Sequence, residues 1–241
     1  MIVPTSSAEA YLRTIGVTSD IYVQATGIDF EAFQKREGEM EKSDDLRARQ
    51  GLSPEDTVLL TVSRLSREKN LDFLIEGMAR LRSQTKLPFK CLIIGEGAER
   101  AHLQERIEKL GLARQVSLIG SVPPEEMVDY YRLGDVFLFA SRSETQGMVI
   151  LEAMAAGLPV VAVRSSGIDD IVENRINGFK TPADLSRWTE SLQIVLEDRQ
   201  LRRNMSREAL EKAREYSISN FAGHVSDIYA RVLAAAGGRG R

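Results

Sequence analysis

Short apolar runs alternate with amphipathic segments between residues 57 and 163. The runs are too short for helices and rich in Val, Ile and Leu, which is typical of buried parallel strands. Between the first two runs, apolar residues recur at helical spacing, as in Leu71, Leu74 and Met78. This alternation predicts an α/β fold with a doubly wound, Rossmann-like parallel sheet. The five predicted strands are residues 57–63, 91–94, 116–119, 136–140 and 160–163.

The helix boundaries of this region carry recognisable signals. Asn70 is predicted to cap the first helix, and Pro123 and Pro124 open the third, where no backbone donor is needed. After Gly178 the pattern indicates mostly helix. The expected C-terminal helices are residues 185–197, 199–216 and 220–233.

The two ends of the chain differ from this regular pattern. Residues 1–30 predict a strand, a short helix and a second strand. Residues 35–50 are highly charged and nearly free of large apolar side chains, which indicates a linker or a solvated helix. Residues 234–241 are rich in Ala, Gly and Arg, and we expect them to be disordered.

Charge and cysteine content narrow the function classes. The 32 Lys and Arg against 35 Asp and Glu give a net charge of −3, so no overall charge attracts nucleic acid, and no nucleic-acid partner is expected. The single cysteine, Cys91, lies in an apolar run and reads as a buried strand residue. No apolar run approaches the roughly 20 residues that span a bilayer. Together with the lack of an intrachain disulfide, this favours a cytoplasmic location.

Two glutamates, Glu144 and Glu152, stand eight positions apart around a predicted loop and helix start. Gly147 lies in the loop, and a Val-rich strand follows the helix. A helix N-terminus offers free backbone N–H groups and partial positive charge, which suit a phosphate. Glu152, inside the helix, is placed to accept hydrogen bonds from a diol. Taken alone, the pair is better explained as one glutamate in a solvated loop and one on an exposed helix face.

In its context this segment resembles the E-x7-E signature of retaining glycosyltransferases of family 4, which have the two-domain GT-B fold. The resemblance implies that Glu144 contacts hydroxyls of the donor sugar and that Glu152 holds the ribose 2′- and 3′-hydroxyls. It also implies that the backbone N–H groups of Gly147, Met148 and Val149 face the donor sugar and phosphate.

A second segment, residues 63–70, resembles the G-R-L-x-x-x-K-G segment of the same family, with Ser and Asn in place of its first and last Gly. The resemblance implies that Arg64 and Lys69 bind the donor diphosphate and act with Glu144 in catalysis. A cation about 4 Å from a phosphate charge is worth about 4 kcal/mol at an effective dielectric near 20. Two fixed cations can therefore stabilise a leaving diphosphate, and neither a metal nor a cofactor is expected. The alternative is that both are loop charges, and Arg67 is expected to be solvent-exposed.

Three further features are less specific. Gly95 and Gly97 begin a dinucleotide-type fingerprint, but Arg100 replaces its third glycine, so a tight turn is favoured over ligand contact. The resemblance makes Val122 a candidate contact to the base, and a plain strand end explains it equally well. Residues 167–172 resemble a later family segment that we expect to be structural.

The resemblance also implies a domain organisation. Residues 1–34 correspond to a remnant of the N-terminal acceptor domain with the interdomain segment, and residues 35–50 to a charged linker. Residues 51–218 correspond to the nucleotide-sugar-binding domain, and residues 219–233 to a crossover C-terminal helix with an exposed apolar face, before the tail 234–241. The chain therefore resembles the C-terminal, donor-binding half of a GT-B enzyme with a short stub of the N-terminal domain.

The function implied is retaining transfer of a hexosyl group from a nucleotide-sugar, with UDP favoured over GDP, to a lipid or saccharide acceptor. Residues 144–147, Glu-Thr-Gln-Gly, are most similar to members that glycosylate membrane lipids such as diacylglycerol. The implied partners are the nucleotide-sugar and an acceptor domain, which either comes from a separate chain or was lost by truncation. Through that domain the protein would associate peripherally with the cytoplasmic face of a membrane. Two alternatives remain: a nucleotide-sugar-binding module or inactive fragment without turnover, and a GT-B sugar-nucleotide epimerase.

Overall fold

The computed structural model describes residues 1–34 and 40–237. Eight strands form two sheets, and every strand pair is parallel. The strands are β1 (Ile2–Val3), β2 (Tyr22–Val23), β3 (Thr57–Val62), β4 (Phe89–Ile94), β5 (Val116–Gly120), β6 (Val136–Phe139), β7 (Val160–Val163) and β8 (Gly178–Thr181). The main sheet has the order β5-β4-β3-β6-β7-β8, and β1 pairs with β2 in a separate sheet. The parallel α/β fold predicted from the sequence is confirmed.

Nine helices lie in the described part of the chain. They are α1 (Ser6–Thr14), α2 (Met40–Arg49), α3 (Leu71–Gln84), α4 (Arg100–Lys109), α5 (Pro124–Leu133), α6 (Met148–Ala155), α7 (Leu185–Glu197), α8 (Arg199–Glu215) and α9 (Ile218–Gly237). Two of them begin at aspartates whose carboxylates accept backbone N–H groups. Asp184 accepts from Arg187 at 2.9 Å, and Asp198 accepts from Leu201 at 2.8 Å.

Successive residues of each central strand enter two different cores, because side chains alternate across a sheet. Val58 and Leu60 face the core that includes residues of α5, α6 and α8, whereas Leu59 faces the core that includes residues of α3, α4 and α7. Cys91 lies in the second core, as predicted, and burial raises the pKa of its thiol to about 12. Both faces of the sheet are thus covered, which explains the continuous apolar runs.

The sequence-based prediction missed one strand and misjudged one cap. β8 was not predicted, because Phe179 is the only large apolar residue among its four, which include Gly178 and Lys180. A Cβ at Gly178 would lie 2.1 Å from the carbonyl oxygen of Val160, so glycine allows the edge strand to pair closely. Asn70 precedes α3 but makes no side-chain capping bond. Instead it adopts a left-handed conformation with φ of 55°, which suits asparagine better than most residues.

The ends of the chain also differ in detail from expectation. The charged segment contains α2, whose Leu46 is only 2% exposed, so residues 40–49 form a packed helix. Residues 35–39 lie outside the described part. α9 continues to Gly237, so residues 234–237, expected to be disordered, are helical, and residues 238–241 are not described. The predicted exposed apolar residues of this helix are present at Ile218, Val232 and Leu233.

Residues 1–30 form the predicted strand, helix and strand. Hydrogen bonds attach this segment to the rest of the chain. The Ser6 hydroxyl donates to the Asp170 carboxylate at 2.5 Å, and its backbone N–H donates to the other carboxylate oxygen at 2.9 Å. The backbone N–H of Ile28 donates to the Tyr216 carbonyl at 2.8 Å. Within residues 1–34 and 40–237, no helix combines the length and hydrophobicity needed to cross a membrane.

Candidate functional site

The main sheet changes direction of winding between β3 and β6, which are adjacent in space but distant in sequence. Chains leaving the carboxyl ends of these two strands turn to opposite faces, and such a point opens a crevice that binds ligands in α/β folds. The two loops that form it are residues 63–70 and 140–147. They are joined by the Glu68 carbonyl, which accepts the backbone N–H of Arg142 at 2.9 Å. Both predicted site segments therefore meet at the carboxyl ends of the two central strands.

Lys69 and Glu144 form the centre of this crevice. The Lys69 ammonium lies 3.2 Å from the Glu144 carboxylate, and each side chain is 18% exposed. Burial alone would raise the pKa of Glu144. The charge of Lys69, its hydrogen bond and the backbone N–H groups of Thr145 and Gly147 outweigh burial and lower that pKa. Glu144 is therefore an anion held next to a cation.

The N-terminus of α6 opens into the same loop. Gly147 precedes the helix with φ of 68°, a left-handed conformation that glycine adopts without strain. A Cβ there would also lie 3.1 Å from Ile168. The next residues, Met148 and Val149, are partly buried, and their N–H groups have no acceptor within the helix because they stand in its first turn. This end of α6 therefore presents backbone N–H groups towards the loop.

Glu152 lies just over one turn further along α6, in a different environment. The hydroxyl of Tyr131 donates a hydrogen bond to Glu152 Oε2 at 2.6 Å. Burial raises the pKa of Glu152, and the bond from Tyr131 partly opposes that shift. Tyr131 is 1% exposed and packs edge-on against Phe33, with ring centroids 5.6 Å apart. Among the described residues, Glu152 is thus neither an exposed helix carboxylate nor part of an ion pair.

The remaining predicted cations point outward. Arg64 follows β3, its side chain is 79% exposed, and it pairs with Glu68 at 3.3 Å. The structure therefore does not place it in the Lys69–Glu144 pair, although it lies on the same loop. Arg67 is 90% exposed, as predicted, and lies 3.4 Å from Glu99. Arg64 is accessible to a ligand and only weakly held by its partner, because exposed pairs contribute little.

The Gly95–Gly97 turn packs against the loop after β3. A Cβ at Gly95 would lie 1.9 Å from the Ser63 carbonyl oxygen, and one at Gly97 would lie 2.3 Å from that of Leu65. The glycines therefore allow close backbone packing, which agrees with the interpretation as a tight turn. Val122, the candidate base contact, is partly buried just after β5 and packs against the first core.

Three contributors to the site were not singled out from the sequence. Tyr131 is held near Glu152 by tertiary packing, and its only sequence signal is a tyrosine on the apolar side of α5. Gln146 is buried and donates to the Thr26 carbonyl at 3.2 Å, which ties the N-terminal segment to the site loop. Gly167 lies so close to the loop that a Cβ would be 2.3 Å from the Glu144 carbonyl oxygen.

The sequence matches the family model described as "Glycosyl transferases group 1" over residues 42–212, more than half of the chain. The chain belongs to this family. The sulfoquinovosyl transferase SQD2 of Arabidopsis thaliana is 32% identical over 222 residues, covering 89% of this chain and 41% of that protein. The alpha-monoglucosyldiacylglycerol synthase of Streptococcus pneumoniae is 29% identical over 233 residues, covering 95% of this chain and 51% of that protein. The chain spans about half the length of these curated relatives.

Solved structures agree on the fold. Anabaena HepE, solved in complex with UDP, matches with a TM-score of 0.84 and 23% identity, over 95% of this chain and 63% of that one. The sucrose-phosphate synthase of Thermosynechococcus elongatus matches with a TM-score of 0.83 and 24% identity, over 97% of this chain and 58% of that one. The α/β fold with its parallel sheet matches GT-B glycosyltransferase structures, as predicted.

Proposed function

We propose that this chain is the donor-binding half of a retaining family 4 glycosyltransferase and binds a UDP-sugar without a metal ion. One observation carries the proposal: Lys69, Glu144 and the N-terminus of α6 converge at the carboxyl ends of β3 and β6. A cation and free backbone N–H groups suit a diphosphate, and a fixed carboxylate beside them suits sugar hydroxyls. Membership of the group 1 glycosyl transferases supports this assignment.

In this proposal each group has a distinct role. Lys69, together with the more exposed Arg64, stabilises the charge that develops on the leaving diphosphate. The N–H groups of Gly147, Met148 and Val149 add to that stabilisation. A ligand phosphate competes with Glu144 for Lys69, so donor binding loosens their pair and frees Glu144 for the hydroxyls of the sugar.

The nucleoside end of the donor would occupy the other part of the crevice. Glu152 accepts the ribose 2′- and 3′-hydroxyls, and Val122 contacts the base. A fold neighbour was solved in complex with UDP and another structure of it with UDP-glucose, which supports UDP as the nucleotide.

The acceptor is proposed from the relatives. One matched protein is named an alpha-monoglucosyldiacylglycerol synthase, and another is a sulfoquinovosyl transferase. We therefore favour transfer of a hexosyl group to a membrane lipid such as diacylglycerol, with a saccharide as the second choice. The protein would act in the cytoplasm and reach the membrane surface through an acceptor domain.

Calorimetric titration with UDP, GDP and UDP-glucose tests the donor assignment. We expect UDP and UDP-glucose to bind, and Glu152→Ala to weaken binding about tenfold to a hundredfold, because a hydrogen bond to a charged group is worth about 1.5–3 kcal/mol. A chelator should leave the affinity unchanged. Glu190→Ala, which removes an exposed carboxylate on α7, is the matched control and should bind normally.

The outcomes separate the alternatives. Binding of UDP-glucose without transfer to diacylglycerol, even with an acceptor domain supplied, would leave a nucleotide-sugar-binding module. Release of UDP together with an epimerised free sugar would favour the epimerase. Absence of binding to every nucleotide would contradict the donor assignment itself.

A further inference from the structure

The two tyrosines in the middle of α5, Tyr130 and Tyr131, are adjacent in sequence but have different partners. The Tyr130 hydroxyl accepts a hydrogen bond from Gln50 at 3.1 Å, at the end of α2 and away from the site. The Tyr131 hydroxyl donates to Glu152 at 2.6 Å. Only the second tyrosine therefore connects α5 to a residue of the donor site.

Tyr131 cannot easily change its position. Its ring is 1% exposed, meets Phe33 edge-on at 5.6 Å and lies 6.1 Å from the ring of Phe137. The neighbouring Arg132 fixes the same turn of α5 against the segment of Phe33, donating to the Phe33 carbonyl at 3.3 Å and to that of Ala32 at 3.1 Å. A buried aromatic ring held on several sides presents its hydroxyl at a fixed point.

The chemistry of the pair leaves one carboxylate oxygen for a ligand. A carboxylate has about four acceptor positions on two oxygens, and Tyr131 engages Oε2. Burial and Glu152 together raise the pKa of Tyr131 well above its ordinary value, so the phenol stays a donor at neutral pH. Oε1 remains to accept from a diol, with its direction set by the bond at Oε2.

We propose that Tyr131 is a positioning residue whose hydrogen bond orients the Glu152 carboxylate, so that its second oxygen receives the ribose hydroxyls of the donor. The inference rests on the proposed function and deepens it by adding a residue that determines how the ribose is recognised. Tyr131 itself touches no substrate and acts only through Glu152.

The protonation of Glu152 reports on its hydrogen bond to Tyr131, because few other polar groups of the described residues surround it. The pKa of Glu152 is raised by burial and lowered by the phenol of Tyr131. Three other elements pack against α6, namely β6, β7 and α8, and the residues that they contribute to this core are mainly apolar. The turn at residues 30–33 brings Phe33, and the side chain of Gln34 bonds the Ala155 carbonyl at 3.0 Å. Nearby Arg132 is committed to Asp129 at 3.8 Å and to the carbonyls named above.

Tyr131→Phe, compared with Tyr130→Phe, tests the proposal, since each removes a single hydroxyl from the same helix. Affinities for UDP and 2′-deoxy-UDP are measured by calorimetry between pH 5 and pH 8. We expect Tyr131→Phe to weaken UDP about tenfold and to reduce the preference for UDP over 2′-deoxy-UDP. The pH below which that preference disappears should also rise, because Glu152 loses the bond that favours its charged form. Tyr130→Phe should change none of these quantities.

The ratio of the affinities for UDP and 2′-deoxy-UDP is used because protonation of the diphosphate changes both affinities equally and cancels in the ratio. An unchanged ratio and an unchanged pH midpoint in Tyr131→Phe would overturn the proposal, as would equal effects of the two variants. A titration of the Glu152 carboxyl by NMR in the ligand-free proteins gives an independent readout, in which its pKa should rise in Tyr131→Phe alone. If the unaltered protein binds neither nucleotide, the proposed function fails, and the role of Tyr131 in ribose recognition fails with it. If the unaltered protein binds UDP but Tyr131→Phe keeps the preference for UDP over 2′-deoxy-UDP, the positioning role fails and the donor assignment stands.

Discussion

Glu144 and Glu152 lie on one continuous loop and helix, yet their surroundings favour opposite protonation states. Glu144 is partly buried but faces Lys69 and the backbone N–H groups of its own loop, and its pKa is lowered. Glu152 faces a phenol and apolar side chains, and its pKa is raised by burial; among the described residues no cation influences that pKa. The first carboxylate contributes to stability as an anion, whereas the second costs stability as an anion. A pair of this kind is expected where one carboxylate is held by a cation of the fold until a ligand displaces it, and the other is buried beside a neutral donor.

The largest expected effect on stability comes from a substitution that displaces the loop carrying Glu144 without touching Glu152. In Gly167→Ala the new Cβ would lie 2.3 Å from the Glu144 carbonyl oxygen, so the backbone of one segment must shift. We expect a loss of about 3 kcal/mol in the free energy of unfolding, at the upper end of the usual cost of overpacking. Denaturant unfolding measures this loss.

The matched control is Gly223→Ala on α9, where a Cβ would meet no atom within 4 Å. An alanine there should be neutral or stabilise by up to about 1 kcal/mol, because glycine is a poor helix former. If Gly167→Ala were as stable as Gly223→Ala, the close approach of the two loop segments would be wrong.

A smaller effect is expected from removing the cation. Lys69→Met keeps most of the side-chain volume but leaves the Glu144 carboxylate without its charged partner. We expect a loss of about 2 kcal/mol at pH 7, between the values typical of exposed and of fully buried pairs. Urea unfolding at pH 7 measures it, and Arg67→Met, which removes a cation that is 90% exposed, is the control.

The pH dependence of that loss gives a second measurement. Because the pKa of Glu144 is lower in the folded state, its contribution is complete above the ordinary glutamate value of 4.5 and is lost as the pH falls through the folded-state pKa. Lys69→Met should therefore lose less stability than the unaltered protein on acidification below about pH 4.5. Parallel acid profiles of the two proteins would show that Lys69 does not control the ionisation of Glu144.

The contrast between the two glutamates also explains how far sequence reasoning reached. The strands from β3 to β7 are mostly apolar and were predicted, whereas β8 has a single large apolar residue, Phe179, and was not. Lys69 and Glu144 were assigned to one site by the family resemblance, and the structure brings them together because their loops follow adjacent parallel strands. The outward direction of Arg64 depends on a local bond to Glu68, and motif matching does not describe that bond.

Tyr131 shows the limit most clearly. It lies 21 residues before Glu152, and the two meet only because α5 and α6 pack on the same face of the sheet. No spacing rule connects residues of two different helices in this way. A polar group in a buried aromatic side chain needs a partner, however, so a tyrosine on an apolar helix face is a signal to look for one.

The smallest expected effect has the opposite sign. Glu152→Gln keeps an oxygen that can accept from Tyr131 and removes the buried charge, so we expect it to stabilise the protein by about 1 kcal/mol at pH 7 while impairing donor binding. The sign follows from the raised folded-state pKa: the cost of ionising Glu152 appears as the pH rises above about 4.5 and is complete above the folded-state value. The gain in stability should therefore be present at pH 7 and vanish near pH 4, which thermal unfolding at both pH values checks.

Glu144→Gln should do the reverse, losing stability at pH 7 and little at pH 4. If both substitutions changed stability in the same direction at pH 7, the distinction between a cation-paired carboxylate and a buried carboxylate beside a neutral donor would not hold.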